Sequence, residues 1–199
     1  MQKETISAET IKKLIFNNFF SYLKLFTPVQ CNFLLHIYKR YQCLDSANIV
    51  LYFAKVTHEA ILRKKDYDLS YDLSFERFWH NHSEAVVKNF TIINIAENVD
   101  IPKETTRRKL EVLIKQKILS KTKKKIIWLP DDKYKKTYNE VVTDEIKQLA
   151  KLTKYITDKA NLNFSIDEIQ KEYKKKFSFY WFHYLDLQLK WMKLWKAQT

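Results

Sequence analysis

Glycine is missing altogether: none of the 199 residues is Gly, only three are Pro and two are Cys. Every turn that needs a positive φ must therefore use Asn, Asp or Lys, which disfavours folds rich in β-hairpins. The same absence excludes phosphate-binding loops, dinucleotide fingerprints and nucleophile elbows, which need Gly where backbone approaches a ligand or turns sharply. The large enzyme classes lose their usual signatures, and no other residue constellation replaces them. The expectation is a protein that is not an enzyme and holds no cofactor and no metal. Cys31 and Cys43 are too few for a disulfide scaffold and are expected as small core residues. With an opening "MQKETISAET" that lacks the apolar centre of a secretion signal, they point to a reducing, cytoplasmic setting. Long apolar runs are lacking too. The most apolar late segment, "FSFYWFHYLDLQLKWMKLW", carries His183, Asp186 and Lys190, so no membrane partner is expected.

What is present is core material and positive charge. With 46% apolar and 15% aromatic residues the chain can bury a core, as one large or two small domains. A formal charge of +13 and a pI near 9.5 bias it toward anionic partners such as nucleic acid or a membrane surface. Charge alone does not select among them.

Helical periodicity begins early. Ser7 is a candidate N-cap for residues 8–26, with Ile11, Leu14, Ile15, Phe19, Tyr22, Leu23 and Phe26 on one side. "TPVQ" then predicts a new helix to about Tyr41, with Thr27 as N-cap, Pro28 at the first position and Gln30 closing a capping box. A third helix, beginning after Asp45 or Ser46 and running to about Lys65, carries Ile49, Phe53, Val56, Ala60 and Ile61. The polar run "DYDLSYD" marks a soft boundary, followed by a helix from about Ser74 to Lys88. After Pro130, "DDKYKKTYNE" leads into a long helix to about Ala160 with Val142, Ile146, Leu149 and Ile156 in register. Ser165 and Glu168 form a second capping box. The final helix is apolar on two faces, one with Tyr184, Leu187, Trp191, Leu194 and Trp195, the other with Phe182, Leu185, Leu189 and Met192, which suits a dimer interface. The expected divisions are an N-terminal helical region (1–73), a central domain (74–130) and C-terminal helices (131–199).

The central segment reads "TIINIAENVDIPKETTRRKLEVLIKQKILSKTKKKIIWLP". Thr91 can cap a short helix with Ile92, Ile95, Ala96 and Val99 inward, and Ala96 is small where a second helix must cross closely. "VDIP" is the turn, with Asp100 where a left-handed residue is expected. Pro102 suits the first turn of the next helix, and Glu104 complements its positive end. That helix puts Thr106, Leu110, Leu113, Ile114 and Lys117 on one stripe, and Lys103, Glu104, Arg107, Arg108 and Glu111 on the other side. "ILSKT", "KKK" and "IIWL" make a hairpin stopped by Pro130. Residues 101–136 hold a net +9 of the chain's +13, so the positive charge is localised.

The run "NIAENVDIPKETTRRKLEVLIKQKILSKTKKKIIWL" resembles the DNA-binding domain of the cyclic-AMP receptor protein and related regulators, in its helix start, apolar spacing and wing length. The resemblance implies a winged helix-turn-helix in which Lys103, Glu104 and Arg108 face base edges, Thr91 and Thr105 face phosphate, and Lys121, Lys123, Lys124 and Lys125 in the wing add phosphate contacts. Arg107, on the same outer side, joins the expected base contacts. Three positions depart from the family pattern: Pro102 for a Ser cap, Thr106 for an apolar residue, and Lys123 for the wing's Gly. That family's cyclic-nucleotide barrel is not expected in the helical first 73 residues. Helices on both sides of the reading domain are similar in layout to MarR-type regulators, which dimerise through such flanks; this likeness is architectural only.

Other patterns carry less. "HNH" at residues 80–82 sits on an expected helix rather than in a ββα-metal unit. His58 and Glu59 begin an H-E-x-x-H pattern that ends in Leu62, one zinc ligand short. "DYDLSYD" lacks the Gly and terminal Glu of a calcium loop. Trp181, Trp191 and Trp195 suit core or dimer interface more than a ligand pocket. The expectation is therefore a mainly α protein: a winged helix-turn-helix with a small two-stranded β wing, flanked by N- and C-terminal helices. Its expected partners are double-stranded DNA, read sequence-specifically as a transcriptional regulator, and a second copy in a homodimer, with any small-molecule effector unknown. The alternative is a winged-helix protein-interaction or replication-associated scaffold that binds DNA without reading sequence.

Overall fold

The computed structural model describes residues 6–85, 90–122 and 125–196, with the side chains of Trp195 and Lys196 outside the description. Lys88, Lys123 and Lys124, named above, also lie outside the described residues. The described chain is mainly helical, with one two-stranded antiparallel sheet. It forms two compact units, one of Met1–His36 with Asn139–Tyr173, the other of Ile37–Tyr138 with Lys174–Thr199.

In the first unit α1 (Ala8–Asn17) opens on Ser7, whose hydroxyl accepts from the Thr10 amide at 3.1 Å. The sequence expects helix to continue to residue 26 and restart at Thr27, but the break falls at Asn18 and α2 (Phe19–Tyr41) runs straight through Pro28. The Asn18 side chain donates to the Leu14 carbonyl at 2.9 Å, a local bond that competes with the helical ladder. Pro28 is exposed, where water can take the carbonyl its missing N–H strands. Phe19 and Leu23, expected inward, are exposed, and so is Cys31; Cys43 is half-buried at the start of α3. Val29 and Phe33 of α2 are buried, as are Val142, Ile146 and Ala150 of α7 (Asp132–Lys159). The buried Glu145 carboxylate meets His36 Nδ1 at 3.2 Å. Asn161 turns the chain with φ 58°, and α8 (Ile166–Lys175) opens on the expected capping box, the Ser165 amide donating to Glu168 at 2.8 Å and the Glu168 amide to Ser165 Oγ at 3.2 Å.

The second unit is built on α3 (Leu44–Tyr67), whose Ile49, Phe53, Val56, Ala60 and Ile61 are all buried. Its most extensive neighbour is α9 (Phe177–Lys196), and it also packs on α4 (Phe78–Glu84), α5 (Ile92–Val99), α6 (Lys103–Lys115) and β2 (Ile126–Trp128). The polar segment after α3 is organised by its own acids: Asp68 accepts from the Ser70 amide at 2.9 Å and Asp72 from the Ser74 amide at 2.8 Å. The helix expected from Ser74 to Lys88 is the shorter α4, because the Phe75 amide is taken by the Lys174 carbonyl at 2.9 Å and Ala85 is already extended at ψ 120°. In α9 Trp181, Tyr184, Leu185 and Met192 are buried, whereas Leu187 and Leu194 remain exposed, so the covered side takes Tyr184 from one expected face and Leu185 and Met192 from the other.

An aromatic cluster fills the space around α4. Phe78 stacks on His58 at 4.6 Å, Phe177 meets the same imidazole edge-on at 5.2 Å, and Trp128 packs on His82 at 5.1 Å. Nearby, Arg40 lies over the Tyr134 ring at 3.7 Å and donates to its carbonyl at 3.0 Å. Neither ring nitrogen of the fully buried His58 has a hydrogen-bond partner among the described residues. Burial, followed by the charge of His82, lowers His58 to about 3; burial likewise lowers His82 to about 4. Both folded values lie below the ordinary 6.5, so the folded state binds fewer protons than the unfolded chain below that pH. Their contribution is complete above 6.5 and is lost as pH falls through the window down to the folded values, by at most about 1.4 kcal/mol per pH unit for each ring. Thermal midpoints should fall from about pH 7 to about pH 5, and His58→Phe, which keeps the stack and removes the proton site, should make that fall shallower; an identical slope would exclude His58 as a source.

Candidate nucleic-acid interface

The segment from Phe90 to Trp128 is assembled by local signals. Thr91 caps α5: its Oγ1 accepts from the Asn94 amide at 3.2 Å, and Asn94 Oδ1 accepts in return from Thr91, a reciprocal box. Ile95, Ala96 and Val99 face inward. Asp100 then stands in the left-handed region at φ 55°, ψ 52°, as the absence of Gly requires, and the Ile101 amide closes the turn on the Ala96 carbonyl at 3.1 Å. Pro102 is the N-cap of α6 rather than its first residue, its carbonyl accepting from the Thr106 amide at 2.9 Å.

Thr106, Leu110 and Leu113 are buried beneath α6, which packs on α3 and α5. The Thr106 hydroxyl, fully buried, donates to the Ile101 carbonyl at 3.3 Å, which is why a polar residue is tolerated at an apolar position. Each buried Leu contributes roughly 1.5–3 kcal/mol toward holding the helix in this orientation. The helix stops at Gln116, and Lys117, expected on the inner stripe, is instead exposed with φ 58°. Strand β1 (Leu119–Lys121) pairs antiparallel with β2 in the register Leu119↔Trp128, Ser120↔Ile127, Lys121↔Ile126, and the Thr122 amide bonds the Lys125 carbonyl at 2.9 Å. Phe90 adds a single bridge to Ile126 on the far side of β2. Nothing in the local sequence around Phe90 announces that bridge.

Lys103, Glu104, Arg107 and Arg108 are all exposed: Arg108 lies opposite the buried stripe, whereas Lys103 is in line with Leu110 and open because it is the first residue of α6. Lys103 and Arg108 meet no carboxylate within ion-pair distance among the described residues. Arg107 is different. Its guanidinium is gripped by Glu104 at 2.6 Å and Glu111 at 2.5 Å, a chain of pairs at i, i+3 and i+7 that the spacing E-x-x-R-x-x-x-E permits. The Arg107 bond holds the Glu104 carboxyl below its usual range, and Glu104 raises Arg107 in turn. Arg107 therefore presents less free donor capacity than its neighbours.

Of the expected phosphate contacts, Thr91, Lys121 and Lys125 come together, with Thr122, around one small groove of about 160 Å³ between the start of α5 and the hairpin. Thr105 is half-buried on α6. A second groove, of about 440 Å³, lies at the turn and is lined by Ile93, Glu97, Asp100, Pro102 and Lys103, with Lys193 of α9 3.9 Å from Asp100. No helix among the described residues is long and apolar enough to cross a membrane, and no cluster of His, Cys, Asp or Glu among them is arranged to hold a metal ion. Comparison with known proteins returned nothing: no family model, no curated protein and no solved structure matches the chain.

The left-handed turn is a point at which the arrangement can be broken by one residue. Asp100→Val should destabilise the protein by about 1–2 kcal/mol, because a β-branched side chain is strongly disfavoured at positive φ, whereas Asp100→Gly should be neutral or stabilising. Chemical denaturation of the two variants measures the difference; equal midpoints would show that the turn bears no strain.

Proposed function

We propose that the chain is a sequence-specific double-stranded DNA-binding transcriptional regulator, with α5, α6 and the hairpin as a winged helix-turn-helix and with a second copy of the chain completing a homodimer. The observation that carries the reading is the division of α6: Thr106, Leu110 and Leu113 are buried, and Lys103, Glu104 and Arg108 are exposed at the end that follows the turn. An α-helix fits the major groove of B-DNA, where Arg or Lys donates to guanine O6 and N7 and a carboxylate accepts from cytosine N4. Each such contact discriminates by roughly 1–3 kcal/mol. Thr91, Lys121 and Lys125, gathered beside α5, suit contact with phosphate oxygens, which sets register without reading sequence. A two-fold protein reads a palindrome with half-sites about one helical turn apart.

The second reading, a scaffold that binds DNA without sequence readout, is favoured by the Glu104–Arg107–Glu111 chain, which engages an acid and a cation that could otherwise meet bases. Selection of binding sites from random duplexes at two salt concentrations separates the two. A recovered consensus that Arg108→Glu abolishes, with Lys125→Ala weakening all duplexes alike and flattening the salt slope by about one unit, supports base readout. Recovery of no consensus by the unaltered protein would favour the scaffold.

A further inference from the structure

Arg108 stands opposite the buried stripe of Thr106, Leu110 and Leu113, and two acids neighbour it along α6. Glu104 lies four positions before it and Glu111 three positions after it, the spacings at which a carboxylate reaches a cation on the same helical face. With those neighbours alone, Arg108 would close on a carboxylate. Neither acid is within ion-pair distance of Arg108, however, and both are bound by Arg107. Arg107 Nε donates to the two Glu104 oxygens at 3.2 and 3.1 Å, its Nη2 to Glu104 Oε1 at 2.6 Å and its Nη1 to Glu111 Oε1 at 2.5 Å.

Helical geometry accounts for this division. One residue is about 100° of turn, so Arg107 lies on a flank of α6, between the buried stripe and the side where Arg108 stands. From that flank its side chain reaches Glu104 about one turn before and Glu111 about one turn after. The planar guanidinium presents donors along more than one edge, which lets a single cation hold two acids at once. Arg108, the next residue, is left with its donors open.

We propose that Arg107 is a positioning residue whose hold on Glu104 and Glu111 keeps both acids off Arg108 and so leaves Arg108 free to read a base. The inference rests on the sequence-specific reading proposed above and assigns Arg107 a supporting role in place of the base contact expected for it. Without Arg107, Arg108 pairs with an acid. On a matched duplex it must leave that pair to donate to guanine, whereas on a mismatched one it stays paired, so the cost falls on the match alone. Exposed pairs at these spacings are weak, and the expected loss of discrimination is about two- to five-fold rather than complete.

Binding-site selection from random duplexes by the full chain, followed by titration of matched and single-mismatch duplexes, tests the role, with chemical denaturation to verify folding. Arg108→Gln identifies the base pair that Arg108 reads. Arg107→Gln should lower the preference at that base pair by the stated factor. In the background of Glu104→Gln with Glu111→Gln, the same Arg107→Gln change should leave that preference unaltered, because no acid remains to reach Arg108. An unchanged preference in the first comparison, or an equal loss in the second, would overturn the positioning role and leave base readout standing. A loss equal on every duplex, with the salt slope flattened by about one unit, would assign Arg107 to phosphate and overturn the role as well. If the unaltered protein selects no consensus, or Arg108→Gln changes no position of it, base reading by Arg108 fails and this inference fails with it.

Discussion

The burial of three side chains, Thr106, Leu110 and Leu113, fixes which way α6 faces, and the proposed interface depends on that orientation. An amphipathic helix turns its apolar stripe to whatever core is available, and here that core is supplied by α3 and α5. Arg108 is carried outward by helical geometry once Leu110 and Leu113 are inward, whereas Lys103, seven positions before Leu110, is open because it is the first residue of the helix. Thr106 adds a directional element, since its hydroxyl bonds the Ile101 carbonyl and ties the helix to the turn before it. A methyl-only side chain would leave that carbonyl one buried partner short.

Electrostatics on the outer side of α6 are less uniform than composition suggests. Lys103 and Arg108 meet no carboxylate within ion-pair distance among the described residues, whereas Glu104, Arg107 and Glu111 between and beyond them satisfy one another. These are exposed pairs, which contribute little to stability; their consequence is for presentation of charge rather than for the fold. Cationic groups gather again at Lys121 and Lys125, next to the Thr91 cap, so the positive surface is divided between the front of α6 and the hairpin. The duplex reading proposed for this surface assigns the first part to base edges in the groove and the second to the phosphates along it.

α3 and α2 are both apolar on more than one side, and they meet that condition differently. α3 is enclosed, with α4, α5, α6, α9 and β2 around it in one unit. α2 is buried along Val29, Phe33 and Ile37 and open along Phe20, Leu23, Leu35 and Tyr38.

The parts legible in the sequence were those governed by neighbours within a few residues. The Thr91 cap, Ser165 with Glu168, the left-handed Asp100 and the inward Thr106, Leu110 and Leu113 of α6 each follow from spacing and side-chain chemistry, because caps and helical faces are closed by bonds and contacts only three or four positions away. Tertiary structure decided what local signals leave open. Thr27 and Pro28 carry the marks of a helix start, yet the helix passes through them, since an exposed Pro does not force a break when the rest of the helix is held by packing. α4 is short because Phe75 bonds to distant Lys174, and the Phe90 bridge and the gathering of Thr91 with Lys121 and Lys125 join residues some thirty positions apart. Which apolar face of α2 or α9 is covered was likewise settled by long-range packing, because the hydrophobic effect rewards burial without specifying the partner.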